Sequence, residues 1–364
     1  MKKFFVNFII TLVVLIFNLQ ALTAVQLNSK NKVNIDITGY MEFGYYRPDN
    51  MDKSFRIDEA GVSFTAVADS LKGIIEINYK DSSDTYFSAD KVYFRRLAAM
   101  MTQANGGIII GKYENKSMLR TAEFQNRNTM NYAIMDRIVN KHTPVGAQYI
   151  VESKSIDFSI GLFNGLTLTS SNVYSGVYPA GNILCLNDDL KSGGNKTDFS
   201  GGVNFKTDAG ISIKSGYLTG KLNSADIDFL NAVSYAPGDT SFNSDDKKIL
   251  YFALEQKIQT LNFSAAYYLI DISSLKNKTL EITGKINMSQ GVTTGFSYTQ
   301  AKYSGAPKPS LLFGKRRQYI INAAYAYKYL NIGYEYVINS ETFEIENTPN
   351  IKNNAHVIKA VFIF

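Results

Sequence analysis

Tryptophan is absent from the 364 residues, cysteine occurs once, histidine twice and proline seven times. The single Cys185 has no partner for an internal disulfide and no CxxC spacing. His142 and His356 form no metal-ligand spacing with it or with each other. No GxSxG, GxxxxGK[ST] or HExxH string occurs. A barrel-embedded lipase needs adjacent Ser and His, whereas His142 reads as a polar loop residue beside Pro144 and His356 as a wall residue of the last strand. The catalytic set of an enzyme is therefore missing, and no cofactor is expected. Beyond the N-terminus no segment approaches ~20 consecutive apolar residues, which excludes a further transmembrane helix. Any insertion into a membrane must be by strands.

What is abundant is Tyr (24), Phe (23) and Gly (26), a composition that suits many short strands. The N-terminus reads as an export signal. Lys2 and Lys3 precede an apolar run from Phe4 to Phe17, broken only by Asn7 and Thr11, and small residues end at Ala21 and Ala24. We expect residues 1–24 to be removed and the mature domain to span 25–364. No Cys follows the run, so a lipoprotein anchor has no attachment point. Removing Lys2 and Lys3 from the 38 basic residues leaves 36 against 32 acidic ones. So mild a balance does not argue for nucleic acid as a partner.

The decisive pattern has a period of two. A strand sends successive side chains to opposite faces, and a barrel wall in lipid is apolar outside and polar inside. Over 279–288, Leu280, Ile282, Gly284, Ile286 and Met288 oppose Thr279, Glu281, Thr283, Lys285 and Asn287. Over 329–337, Leu330, Ile332, Tyr334 and Tyr336 oppose Asn331, Gly333 and Glu335. Over 33–43, Val33, Ile35, Ile37, Met41 and Phe43 oppose Asn34, Asp36, Thr38 and Glu42. Further copies start at Phe199, Ile211, Leu261 and Val292. The chain closes on AVFIF, with Ala360, Phe362 and Phe364 on the face of Ile358. A terminal aromatic on an alternating strand resembles the signal that outer-membrane assembly machinery recognises.

The pattern predicts about sixteen strands, at 33–46, 55–68, 73–80, 90–101, 108–114, 144–153, 156–165, 198–207, 211–220, 247–257, 260–270, 278–287, 292–301, 316–327, 329–338 and 353–364. The fold class is thus all-β, a transmembrane antiparallel barrel with short turns at one end and long loops at the other. An even count puts both termini on the periplasmic side and every long loop outside. A barrel of this size encloses water.

The third long connection, 115–142, holds Lys116, Arg120, Arg127, Arg137 and Lys141 against Glu123 and Asp136. It also carries Met118, Leu119, Phe124, Met130, Tyr132, Ile134 and Met135. Apolar groups anchor such a loop inside a barrel while its charges face the water path, where they select ions. Together with Arg95 and Lys112, these five basic residues are the expected constriction. The segments IIIGKYENKSMLRTAEFQNRNTMNYAIMDRI (108–138) and PVGAQYIVESKSIDFSIGLFNG (144–165) resemble the phosphate-selective porin O/P family. Gly111, Tyr113, Met135-Asp136-Arg137, Gly146 and Phe163-Asn164-Gly165 carry the likeness. It implies a trimeric, sixteen-stranded porin with an inward third loop and an anion preference. The family's second strand is rich in Arg. Here the matching stretch is FRIDEAGV, with Arg56 beside Ile57, Asp58 and Glu59. Arg95, Lys112, Lys206, Lys214, Lys285 and Lys359 share the polar face with Asp36, Glu42, Glu76, Asp157, Glu281 and Glu335. The wall is mixed in sign, so any anion preference rests on the third loop.

Gly314-Lys315-Arg316-Arg317 reads as a solvated loop end, with lipopolysaccharide headgroups or an acidic solute as the alternative. The functional reading is passive diffusion of small hydrophilic solutes through an outer-membrane pore. The alternative is a surface adhesin or receptor that uses its long outer loops and whose lumen is closed.

Overall fold

The computed structural model describes residues 33–49, 53–80, 91–103, 105–118, 129, 143–171, 183–187, 196–234, 242, 244–305, 314–343 and 351–364. The strands are β1 (Val33–Pro48), β2 (Ser54–Ala68), β3 (Leu71–Lys80), β4 (Lys91–Gln103), β5 (Gly106–Lys112), β6 (Val145–Glu152), β7 (Ile156–Asn164), β8 (Thr167–Ser171), β9 (Ile183–Asn187), β10 (Thr197–Lys206), β11 (Ile211–Lys221), β12 (Asp246–Lys257), β13 (Leu261–Ile272), β14 (Leu275–Asn287), β15 (Val292–Ser304), β16 (Gly314–Tyr327), β17 (Leu330–Phe343) and β18 (Ile351–Ile363). All but β8 and β9 form one closed antiparallel ring of sixteen, sealed where β1 meets β18 with Tyr40 opposite Ile363 and Pro48 opposite Ala355. Closure leaves no unpaired edge, the condition for strands to stand in hydrocarbon.

Alternation sorts the side chains as the period of two predicts. Phe64, Ile110, Leu162, Phe252, Ile321 and Phe362 face outward and are exposed, while Glu42, Glu76, Glu281, Glu335 and Lys359 face inward. The residue ranges of the sixteen ring strands agree with the sequence pattern to within a few residues. One connection departs from it. Residues 271–277 read as a connection, but β13 and β14 run on to a two-residue turn at Ser273-Ser274, where Ser273 has φ 55°. That extension carries Lys276 and Lys278 onto the wall.

The remaining ring connections sort by length as expected. Residues 69–70, 207–210 and 328–329 turn tightly at the end where β1 begins and β18 finishes, and the long connections after β5, β7 and β11 leave the wall at the other. Two of these contain structure the alternation did not reveal. β8 pairs with β9 as a separate two-stranded sheet, with Thr167 opposite Asn187. Helix α1 (Ser224–Ser234) follows β11. Its start is a reciprocal cap: the Asp226 N–H donates to Asn223 Oδ1 at 2.8 Å and the Asn223 N–H to Asp226 Oδ2 at 3.1 Å.

The inner wall is not polar throughout, which corrects the simple picture of a wet inner face. Leu218, Ile249, Tyr251, Tyr268, Ile270 and Tyr303 point inward from β11, β12, β13 and β15 and join one buried apolar cluster. Leu166, Leu168 and Phe242 from the outer connections and Leu230 from α1 complete it, with Met118, Ile227 and Phe229 against it. Inward apolar side chains are stable here because loop segments, not water, cover them. The lumen is therefore lopsided, packed along β11–β15 and lined with charge along β1–β4 and β18.

Candidate functional site

Two β-bulges build the charged side. Between Glu42 and Phe43 of β1 the pairing to β2 jumps from Glu59 to Ile57, so Asp58 is the extra residue. Between Glu76 and Ile77 of β3 the pairing to β4 jumps from Arg96 to Phe94, so Arg95 is the extra residue. A bulge lets two successive side chains share a face. Asp58 and Glu59 thus both point inward, as do Arg95 and Arg96. The sequence reading placed only Arg95 here. The missed signal is a break of phase in the outward series, which runs Phe55, Ile57, Ala60, Val62 on β2 and Val92, Phe94, Leu97, Ala99 on β4.

The four doubled charges meet partners across the wall. Glu76 accepts from Arg95 at 3.3 Å and from Arg96 at 2.7 Å. Arg96 also pairs with Glu114, just past β5. Lys359 of β18 lies 2.9 Å from Glu42 and 3.1 Å from Asp58, and the Tyr46 hydroxyl donates to Asp58. Asn78 donates to Glu59 at 2.8 Å and to the Tyr40 hydroxyl at 2.7 Å, and Arg95 donates to the same hydroxyl at 3.2 Å. Beside this network lies a cavity of about 610 Å³ whose lining includes Thr38, Glu42, Lys72, Glu76, Arg95 and Tyr113. Salt bridges in so crowded a wall fix side-chain positions more than they add stability, because desolvation offsets most of the Coulomb gain.

The third connection enters the lumen at once. Glu114, Asn115 and Ser117 are buried against the inner wall. Gln148 of β6 accepts from the Lys116 N–H at 3.0 Å and donates to the Glu114 carbonyl at 2.7 Å. The Ser117 hydroxyl lies 3.0 Å from that of Ser159 on β7, and the Ser200 hydroxyl of β10 lies 3.2 Å from it and 3.1 Å from Asn115 Oδ1. Gly202 and Gly216, cross-strand partners on β10 and β11, form the seat. A Cβ at Gly202 would lie 2.8 Å from the Ser117 Cα, and one at Gly216 only 2.1 Å from its carbonyl oxygen.

Of the expected constriction residues, Arg95 stands in the charged network. Lys116 opens the third connection, with its ammonium 5.5 Å from the centre of the Tyr113 ring. Lys112 is removed from this group by the register. It stands opposite Leu97, which faces outward, and on the phase of Ile108 and Ile110. Arg120, Arg127, Arg137 and Lys141 lie outside the described residues, as do His142 and the signal segment 1–24.

A second ionic site fastens the outer connections to the wall. Lys247 and Asp198 are fully buried on the lumen side, 2.9 Å apart. Lys247 also donates to the Leu166 carbonyl at 2.7 Å, and the Leu166 N–H donates to Asp198 at 2.9 Å. Removing one member leaves a buried charge unmatched, a loss of about 3–5 kcal/mol. We expect Lys247→Met to lower the unfolding free energy, extrapolated from urea titration, by that much, and Lys247→Met with Asp198→Leu to recover most of it. Above the wall, side-chain hydrogen bonds from Lys221 and Lys196 hold the Asp245 carboxyl below the usual carboxylate range.

No family model matches the chain, and no curated protein matches its sequence. Solved structures do match its fold. In-vitro folded OmpT of Vibrio cholerae, an outer-membrane protein, superposes with a TM-score of 0.60 at 13% identity, covering 94% of this chain and 100% of that one. The outer-membrane channel DcaP of Acinetobacter baumannii gives 0.61 at 13%, covering 92% and 99%. An anion-selective porin from Comamonas acidovorans gives 0.60 at 8%, covering 91% and 100%. At such low identity the shared property is the architecture. The chain is a closed sixteen-stranded antiparallel barrel, a fold of the bacterial outer membrane.

Proposed function

We propose that the protein is a water-filled porin that passes small hydrophilic solutes and sorts them by charge where the third connection faces β1–β4. The observation that carries this reading is the inward entry of residues 113–118, which brings Glu114 against Arg96 and Lys116 beside Tyr113. Wall charge there is balanced, with Glu42, Asp58, Glu59 and Glu76 against Lys72, Arg95, Arg96 and Lys359. The third connection adds a basic excess, with Lys116, Arg120, Arg127, Arg137 and Lys141 against Glu114, Glu123 and Asp136. An excess of one sign at a narrow wet path discriminates ions. Anion preference is the expected sign, because the basic residues sit on the obstructing segment. The anion-selective neighbour from Comamonas acidovorans and the resemblance to phosphate-selective porins support that preference. A trimer-form structure of OmpT among the neighbours supports a homotrimer.

Planar-bilayer recording tests the reading. Stable open steps with a reversal potential displaced toward chloride are expected in a potassium chloride gradient. Changing Lys116, Arg120 and Arg127 together to Glu should carry the reversal potential across zero toward cation selectivity. An unmoved potential would mean that this loop does not line the path. A second reading, a surface receptor with a closed lumen, is favoured by the packing of α1, Leu166 and Leu168 into the mouth over β11–β15. Folded protein that never conducts would select it.

The export signal at 1–24 and recognition of the last strand by the assembly machinery belong to the same proposal. The Phe364 N–H donates to the Gly39 carbonyl at 2.9 Å, and a Cβ at Gly39 would lie 2.4 Å from the Phe364 ring. Phe364→Asp should cut the assembled, heat-modifiable fraction several-fold. Normal insertion of that variant would remove the role of the terminal ring.

A further inference from the structure

The outward face of the barrel carries an unbalanced row of cations at its outer rim. The sequence pattern reads Lys315 and Arg317 as a solvated loop end, with lipopolysaccharide headgroups or an acidic solute as the alternative, but β16 begins at Gly314, so both stand in the wall. Lys278 of β14 is directly opposite Lys302 of β15, which is directly opposite Lys315 of β16. Strands are about 4.8 Å apart, so three like charges lie within about 10 Å. Arg317, one outward step along β16, faces Gln300 and donates to it at 3.2 Å. Lys278, Lys302 and Arg317 are exposed. Among the described residues none of the four meets a carboxylate.

The neighbouring strands are built differently at the same height. There Lys221 faces Asp246, Lys248 faces Asp271, and Asp271 faces Lys276, so each cation has an acid beside it. Like charges directly opposite each other destabilise a sheet. The row on β14–β16 therefore calls for a negative group from outside the chain.

Its depth identifies that group. Next along the outward face lies the Tyr298–Tyr319 pair, with ring centres 4.8 Å apart, and the Tyr298 hydroxyl donates to Gln300 at 3.1 Å. Tyrosines on a barrel's outer face mark the boundary between hydrocarbon and headgroups. From Tyr327 at the opposite rim to Arg317 is about ten residues, or about 26 Å of height at a strand tilt of about 40°, which matches the apolar band of an outer-membrane barrel. The cations thus sit just above the hydrocarbon, on the side of the long connections, facing away from the lumen.

We propose that Lys278, Lys302, Lys315 and Arg317 bind the phosphate groups of a phosphorylated glycolipid headgroup, lipopolysaccharide, in the outer leaflet. Arg and Lys grip phosphate oxygens by charge-assisted hydrogen bonds, and a phosphate bridging adjacent strands would relieve the repulsion along the row. The site stands outside the permeation path and does not depend on whether the lumen conducts.

Thermal unfolding of the full-length barrel, refolded in a zwitterionic detergent, tests the assignment. Phosphorylated lipopolysaccharide should raise the midpoint of the wild type, while the same lipid after enzymatic dephosphorylation, and inorganic phosphate at equal concentration, should not. Lys302→Glu places an acid between two lysines. Without lipid its midpoint should equal or exceed that of the wild type, and its apparent affinity for the lipid should fall at least tenfold. Lys302→Gln should show a smaller loss, and serves if the Glu variant does not refold. A lipid response in either variant equal to that of the wild type would overturn the site. An equal response of the wild type to dephosphorylated lipid or to inorganic phosphate would overturn the headgroup assignment.

Discussion

Gly216→Val should raise the unit conductance of the pore roughly twofold or more, by driving the third connection off its seat. An added Cβ would lie 2.1 Å from the Ser117 carbonyl oxygen and 2.3 Å from the Tyr251 ring. The ring can turn aside, but the carbonyl cannot rotate away as a side chain can. Ser117 must move, and its links to Ser159 and Ser200 move with it. The ladder between β10 and β11 does not need glycine for its own sake, so the barrel should still close. Single-channel recording reads the change directly. An unaltered step size with normal folding would show that the narrowest point lies elsewhere.

The second large effect should come from Glu76→Gln. This carboxylate accepts from both Arg95 and Arg96, at 3.3 and 2.7 Å, and its side chain is only 3% exposed. Glutamine keeps the shape and one acceptor but deletes the charge, so the local balance moves by one unit toward positive. The ratio of anion to cation permeability should increase by a factor of about two to five, since wall charges in a narrow pore concentrate their counter-ions. A reversal-potential measurement in a salt gradient gives the ratio. Movement toward cations would mean that the arginines had turned out of the path once released. Some stability should be lost as well, because Arg95 and Arg96 remain buried with fewer compensating acids. The folded fraction on a heat-modifiability gel separates that loss from the change in selectivity.

The sixteen ring strands were legible because lipid enforces the period of two. Every second residue of a strand such as β14 meets hydrocarbon, so Leu280, Ile282 and Ile286 admit no polar exchange. The charged wall was legible only in part. Strict alternation placed Glu42, Glu76 and Arg95 inside but could not place Asp58 or Arg96, because a bulge shifts the phase by one. The shift is written in the chain, where Phe94 and Leu97 are three apart and both outward-facing. The apolar patch under α1 was hidden for a different reason. Ile249, Tyr251, Ile270 and Tyr303 lie on the inner phase, and only the fold of a distant connection reveals that water is excluded there. Helix α1 itself had a local signal in the Asn223–Asp226 cap, masked by the surrounding run of strands. Lys112 was not legible because polarity marks the inner face only within the hydrocarbon, and near a rim the outer face also tolerates a lysine.

The two bulges have a consequence for how such a barrel can diversify. Loss of a single codon from the middle of an ordinary strand turns every later side chain inside out and should be lethal to insertion. Loss of Asp58 or Arg95 removes only the supernumerary residue, and the flanking ladder can close in plain register with its greasy and wet sides unchanged. The charge of this wall can therefore be retuned one group at a time by small deletions and insertions, a route closed to most of the barrel.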